Sequence, residues 1–219
     1  MKTIYFVRHG ESEANVGHPV FQGEESDLTP RGEEQARFIA DRAKNLQFEA
    51  LISSRALRAR KTADYISQAT GVKHEPVEIF SERKLPSRFV GIPVDDEDVR
   101  PKFEAWEKSL YEQDVRIEDG ENFSDITKRA GGALAYLEKR SESYILVVTH
   151  GFFLRTIIAR VLFGEKVTPD ELKKVIATFR TANTGLTLMQ FGVGDSREAW
   201  GIPENPWIIR VWNDHAHLG

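Results

Sequence analysis

A chain of 219 residues, 40% hydrophobic and 29% charged, is long enough to bury a core and too ordinary in composition for a disordered, collagen-like or coiled-coil protein. Thirty basic against 34 acidic side chains leave a formal net charge of −4, so the overall charge attracts neither nucleic acid nor an anionic membrane, and any anion site has to be built locally. With no cysteine, disulfides, thiolate metal sites and a cysteine nucleophile are excluded, and chemistry falls to histidine, serine, carboxylates or a ligand.

The first apolar run, Ile4 to Val7, is too short for a secretory leader and is followed at once by Arg8-His9-Gly10. It reads as the opening strand of a cytoplasmic protein. No run approaches the roughly 20 apolar residues of a membrane helix. Thr29-Pro30 predicts a helix start, with Ala36, Ile39, Ala40, Ala43 and Leu46 on one face. Ala50 to Ile52 is a second strand, and Ala59, Ala63, Ile66 and Ala69 mark the helix after it. Residues 83–119 break this rhythm with Pro86, Pro93, Pro101 and the acidic run from Asp95 to Asp98, and read as a substrate-selecting insertion or lid over one end of the sheet. Phe123, Ile126, Ala130, Ala133, Leu134 and Leu137 predict a helix, Ile145 to Val148 a strand, and Phe153 to Val161 a helix stopped by Gly164. A helix near Pro169 to Ala177 and two antiparallel strands, Leu186 to Phe191 and Trp207 to Trp212, complete the chain. Short runs rich in β-branched residues alternating with helices predict one α/β domain over residues 1–219, with a mixed, mostly parallel sheet between layers of helices.

Two motifs stand at strand exits, where ligands bind in doubly wound sheets. Arg8-His9-Gly10 supplies an imidazole that can attack as a neutral nucleophile, a guanidinium that can hold phosphate oxygens, and a glycine that lets backbone approach an anion. Thr149-His150-Gly151 opens a helix at the same sheet edge. A third strand exit, Ser53-Ser54, leads into a helix carrying Arg55, Arg58 and Arg60, one of which could complete a cationic pocket. The pair His215 and His217 is incomplete as a metal site. The stretch from Trp200 to Trp212 reads as packing, and Gly192-x-Gly194 is too short for a nucleotide fingerprint.

The run from Arg8 to Asn15, with Phe21-Gln22-Gly23, Leu28-Thr29-Pro30-Arg31-Gly32, Ser53 to Ala63, Ser81-Glu82-Arg83, Gly120-Glu121-Asn122-Phe123 and Val147 to Gly151, resembles the histidine phosphatase superfamily over nearly the whole chain. That superfamily includes cofactor-dependent phosphoglycerate mutases and many small-molecule phosphatases. Asn213 to Leu218 is similar to its terminal strand, whereas Lys84 to Gly91 departs from the usual Gly- and Trp-containing stretch. The resemblance implies that His9 forms a phosphohistidine, that Arg8, Arg58, His150 and Gly151 hold the phosphoryl group, and that Asn15 and Gln22 add contacts. Glu82 is the implied general acid, with Glu121 as the alternative. The implied activity is metal-independent and cofactor-free hydrolysis of a small phosphorylated metabolite. A mutase-type phosphotransferase and a non-catalytic phosphate-binding module stay open as alternatives. Arg83, Lys84 and Arg88 are the candidate selectors of a second polar group on the substrate. A homodimer is the candidate assembly.

Overall fold

Successive strand residues face opposite sides of a sheet, and the first strand, β1 (Lys2–Arg8), divides the core accordingly. Ile4 and Phe6 join one hydrophobic cluster and Val7 the other. The chain continues through α1 (Pro30–Ala43), β2 (Ala50–Ser53), α2 (Leu57–Thr70), β3 (His74–Pro76), α3 (Arg100–Lys108), α4 (Phe123–Lys139), β4 (Tyr144–Thr149), α5 (Gly151–Phe163), α6 (Pro169–Thr178), β5 (Leu186–Phe191) and β6 (Trp207–Asp214). The computed structural model describes residues 1–17, 19–112, 115–192 and 206–219. Trp200 and Gly194 lie outside these, as do Gln113 and Asp114 of the expected insertion.

The sheet order is β3-β2-β4-β1-β5-β6, with β3, β2, β4 and β1 parallel and β5 antiparallel to both β1 and β6. Ile39, Ala40 and Ala43 of α1 and Ala59, Ala63 and Ile66 of α2 pack with Val7, Leu51, Leu146 and Val148 on one face. Ile126, Ala130 and Leu137 of α4, Phe153 and Ile157 of α5 and Leu172 of α6 cover Ile4, Phe6, Ile52 and Val147 on the other. The result is the three-layer α/β sandwich with a mixed, mostly parallel sheet. Each buried valine, leucine, isoleucine or phenylalanine among them contributes about 1.5–3 kcal/mol. Among the described residues no helix is long and apolar enough to cross a membrane.

Local chemistry sets the helix ends. Thr29 accepts from Gly32 N at 3.0 Å with Pro30 in the first turn, and Asn122 and Asp125 close a reciprocal cap on α4. Gly164, at φ 68°, ends α5. Within 83–119 the prolines do not exclude a helix: Pro101 occupies the first turn of α3, where its missing N–H costs nothing. This segment adds a third cluster of Phe21, Phe89 and Val99, against which Leu85 and Phe103 pack. The expected terminal strand stops short. Asn213 turns into the left-handed region (φ 49°), β6 ends at Asp214, and Ala216–Leu218 form a 3-10 turn.

Candidate active site

The parallel register pairs Arg8 with Thr149 and aligns Ser53 with Val148, so the residues that follow, His9, His150 and Ser54, leave the sheet at one edge. From β1 the chain crosses to β2 on one side of the sheet, and from β4 it proceeds toward β5 on the other. That reversal opens the crevice characteristic of a topological switch point.

His9 and His150 meet there with ring centroids 4.9 Å apart at 62°. His9 Nδ1 lies 2.6 Å from the Gly10 carbonyl oxygen, which can only accept, so the ring proton sits on Nδ1 and Nε2 keeps its lone pair. Arg58 Nε–H donates to that Nε2 at 3.3 Å. Arg58 is itself buried and donates through Nη1 to Gly23 O. Thr62 Oγ1 ties these groups together, accepting from Gly10 N and donating to Arg58 O. On the second histidine, Nε2 lies 2.8 Å from Ser54 Oγ. Ser54 Oγ, which accepts from Ala56 N, can give its own proton to Nε2, the arrangement in which the His150 ring proton sits on Nδ1. That Nδ1 is fully buried and has no partner among the described residues.

Burial is the main force holding His9 well below the usual histidine range, and the Arg58 and Arg8 charges reinforce it. His150 is lowered for the same first reason, then by Arg58 and His9. Both rings are therefore neutral at neutral pH. Guanidinium charge comes second to desolvation.

Arg8 donates through Nη1 to Thr181 O at 2.7 Å, while its buried Nε is unpartnered. A Cβ on Gly151 would lie 2.6 Å from Thr181 Oγ1 and 3.1 Å from Arg8 Nε, so only glycine lets α5 begin against this arginine. Gly10 serves a different purpose from the expected one: its Cβ would lie 2.4 Å from Gly32 O, and the missing side chain lets the loop rest on the start of α1. Asn15 Oδ1 accepts from Asn183 Nδ2, which also donates to His9 O, leaving the Asn15 amide hydrogens for the cavity it lines. Gln22 lines the same cavity.

The sequence profile of the histidine phosphatase superfamily (branch 1) matches residues 4–199. The chain belongs to the histidine phosphatase superfamily. A probable phosphoglycerate mutase, GpmB, of Enterobacter sp. (strain 638) is 33% identical over 229 aligned positions covering all of this chain and 95% of that protein. GpmB of Citrobacter koseri is 32% identical, with 100% and 95% covered. Among solved structures, Bacillus stearothermophilus YhfR superposes with a TM-score of 0.78 at 24% identity, and an Entamoeba histolytica phosphoserine phosphatase mutant with 0.72 at 23%; each covers the whole of both chains. These two share the histidine phosphatase fold.

The two candidate acids of this histidine phosphatase family member differ in their surroundings. Glu82 accepts from Phe152 N (3.2 Å) and Phe153 N (2.9 Å) at the start of α5, with one edge on the cavity. Its charge acts on Arg8, Arg58 and Arg155. Glu121 is held by Arg129, whose Nε and Nη2 donate to its two oxygens at 2.7 Å each, and it also accepts from Lys84 N. Arg129 is further fixed over the Phe153 ring and by the carbonyls of Ile79, Ser81 and Glu82. Both oxygens of Glu121 are thus committed to architecture.

The cavity measures about 1430 Å³ and is rimmed by Val20, Phe21, Val90, Val94 and Phe103. The selectors expected from sequence are neutralised. Arg83 is buried, stacked 3.7 Å from the Trp106 ring, bonded to Glu121 O and Ser109 Oγ, and paired with Glu107; desolvation brings it down to about 10. Lys84 pairs with Asp119 and Arg88 with Glu118. Arg55, expected on the helix, precedes α2 and pairs with Glu78 at the surface. Sequence reading missed Thr62, Asn183, Arg155 and Arg180. For Arg155 a signal existed: it stands four residues after Gly151, one turn further along the face of α5 that opens on the site. The terminal histidines hold no metal-like geometry, since His217 Nδ1 faces Arg42 Nη1 and its Nε2 faces Thr184 Oγ1.

Proposed function

We propose that this protein is a phosphatase that hydrolyses a small phosphate monoester through a phosphohistidine on His9. The observation that carries the reading is the fixed tautomer of His9, with Nδ1–H on Gly10 O and an Nε2 lone pair facing the cavity beside Arg58. In the first step Nε2 attacks phosphorus, the N–P bond forms, the P–O bond to the alcohol breaks, and Glu82 delivers its proton to the departing oxygen. In the second step water attacks the phosphoryl group, Glu82 takes the proton, and the N–P bond breaks to return neutral His9 and inorganic phosphate. Arg8, Arg58 and His150 Nδ1–H supply donors for the equatorial oxygens, which is the larger part of catalysis in phosphoryl transfer. Asn15, Gln22 and Gly151 complete the lining, and segment 83–119 forms the outer wall that selects among esters.

A mutase is the second reading, favoured by the name borne by the GpmB relatives. Hydrolysis is preferred because the cavity is wide enough for water to reach the phosphoryl site, and because Arg83, Lys84 and Arg88 are spent on ion pairs within the protein. Incubation with 3-phosphoglycerate separates the two. Release of inorganic phosphate supports the phosphatase; interconversion to 2-phosphoglycerate with no phosphate released supports the mutase.

A further inference from the structure

Half of the arginines and lysines on the cavity wall are matched by a carboxylate: Arg83 by Glu107, Lys84 by Asp119, Arg129 by Glu121 and Arg100 by Glu104. Arg8 and Arg58 serve the phosphoryl site. Two more arginines line the cavity without an ion-pair partner among the described residues, Arg155 of α5 and Arg180 just after α6.

Arg155 is built in rather than trailing. Nε donates to Gly151 O at 3.0 Å, Nη1 donates to Ile176 O at 2.9 Å, and the guanidinium lies over the Phe152 ring at 5.7 Å. Nη2 makes no hydrogen bond among the described residues. Arg180 is rooted by Trp212 Nε1, which donates to its carbonyl, and the next residue, Thr181, accepts from Arg8 Nη1. Gly151, whose carbonyl holds Arg155, packs against Thr181, the neighbour of Arg180, so the two arginines share one wall of the cavity; of the charges acting on Arg155, Glu82 comes first and the like charge of Arg180 next. Glu82 is the carboxylate acting on Arg155, but it forms no ion pair with it among the described residues, the guanidinium being held instead by Gly151 O and Ile176 O. Glu24 bears on Arg58, not on this pair.

We infer that Arg155 and Arg180 form a second anion subsite beside the phosphoryl pocket, on the Gly151–Thr181 side, which takes a carboxylate of the substrate. The selector of a second acidic group is thus this wall, and not Arg83, Lys84 or Arg88. The planar guanidinium of Arg155 suits a carboxylate, and the more exposed Arg180 closes over it. This inference rests on the phosphomonoesterase reading for its choice of substrate.

The test compares 3-phosphoglycerate with glycerol 3-phosphate, which differ in whether a carboxylate or a hydroxymethyl group stands beside the ester. The wild type is expected to favour the carboxylate in kcat/KM, and Arg180→Gln to reduce that ratio by roughly tenfold, chiefly through KM. Arg155→Gln should do the same or more, while Arg155→Lys, keeping charge without the planar fork, should restore part of it. A ratio unchanged by either variant, or a parallel loss on both esters, would overturn the subsite. Calorimetric binding of the two esters to His9→Ala protein reads the subsite without turnover. Tighter binding of 3-phosphoglycerate that Arg180→Gln removes supports it even if no ester is hydrolysed, whereas equal binding of both contradicts it even where hydrolysis proceeds.

Discussion

Arg58 Nε–H points at His9 Nε2 across 3.3 Å, so the residue that covers the nucleophile's lone pair in the free protein is also one of the cations offered to the phosphoryl group. Arrival of a phosphate ester gives the guanidinium a better acceptor and uncovers the attacking nitrogen in the same movement. Arg58→Ala is therefore expected to lose at least about a hundredfold in kcat/KM, about 2.7 kcal/mol of transition-state stabilisation. Arg58→Lys should recover little of this, because a point charge cannot serve both Gly23 O and two phosphoryl oxygens. Steady-state kinetics on a phosphate monoester checks both; near-wild-type activity in Arg58→Ala would contradict the role.

His9 and His150 are buried neutral, and both are lowered well below 6.5 in the folded protein. Below about pH 6.5 the unfolded chain takes up protons that the folded chain refuses, so stability falls as pH falls and is level above that range. Each histidine contributes up to about 1.4 kcal/mol per pH unit in that window. Urea unfolding between pH 7.5 and 5.5 should show the slope, and His150→Asn should remove about half of the two-histidine part. An unchanged slope in that variant would mean that His150 is protonated in the fold.

The strand-exit motifs were legible because short β-branched runs define β1, β2 and β4, and the parallel register then leaves His9, Ser54 and His150 no choice but a common edge. Thr29 and Pro30 set the start of α1 as their chemistry requires. The strand β3 was not legible, being three residues, His74-Glu75-Pro76, with no apolar alternation. Nor was the segment from Arg180 to Asn183: Arg8 reaches it through the Thr181 carbonyl, a group any sequence possesses, and the Asn183 amide donates to His9 O from more than 170 residues away. Arg83, read as a selector from its place beside Glu82, is a buried structural cation because Trp106 and Glu107, more than 20 residues away, fold over it. Tertiary partners of that kind leave no local trace.

Replacing the two glutamates should separate acid from architecture. Glu82→Gln is expected to slow hydrolysis of alkyl phosphates far more than of aryl phosphates, because a good leaving group hardly needs a proton. Glu121→Gln should affect both alike and lower stability by about 1–3 kcal/mol, since it strands the largely buried Arg129 guanidinium. A leaving-group-dependent loss confined to Glu121→Gln would move the acid role there.

Chelation is expected to leave turnover unchanged. On the proposed mechanism Arg8, Arg58 and His150 supply the donors that stabilise the phosphoryl charge, so no metal is required. Activity that disappears with a chelator and returns with a divalent ion would contradict this reading.

The most direct measurement is to quench the enzyme in alkali within one turnover of a phosphate monoester and locate the phosphoryl group by mass spectrometry of the peptides. An acid-labile, alkali-stable phosphoryl adduct on His9, absent from His9→Ala and decaying as inorganic phosphate appears, is the expected result. Turnover with an unmodified His9, or with the phosphoryl group on His150, would contradict nucleophilic catalysis by His9.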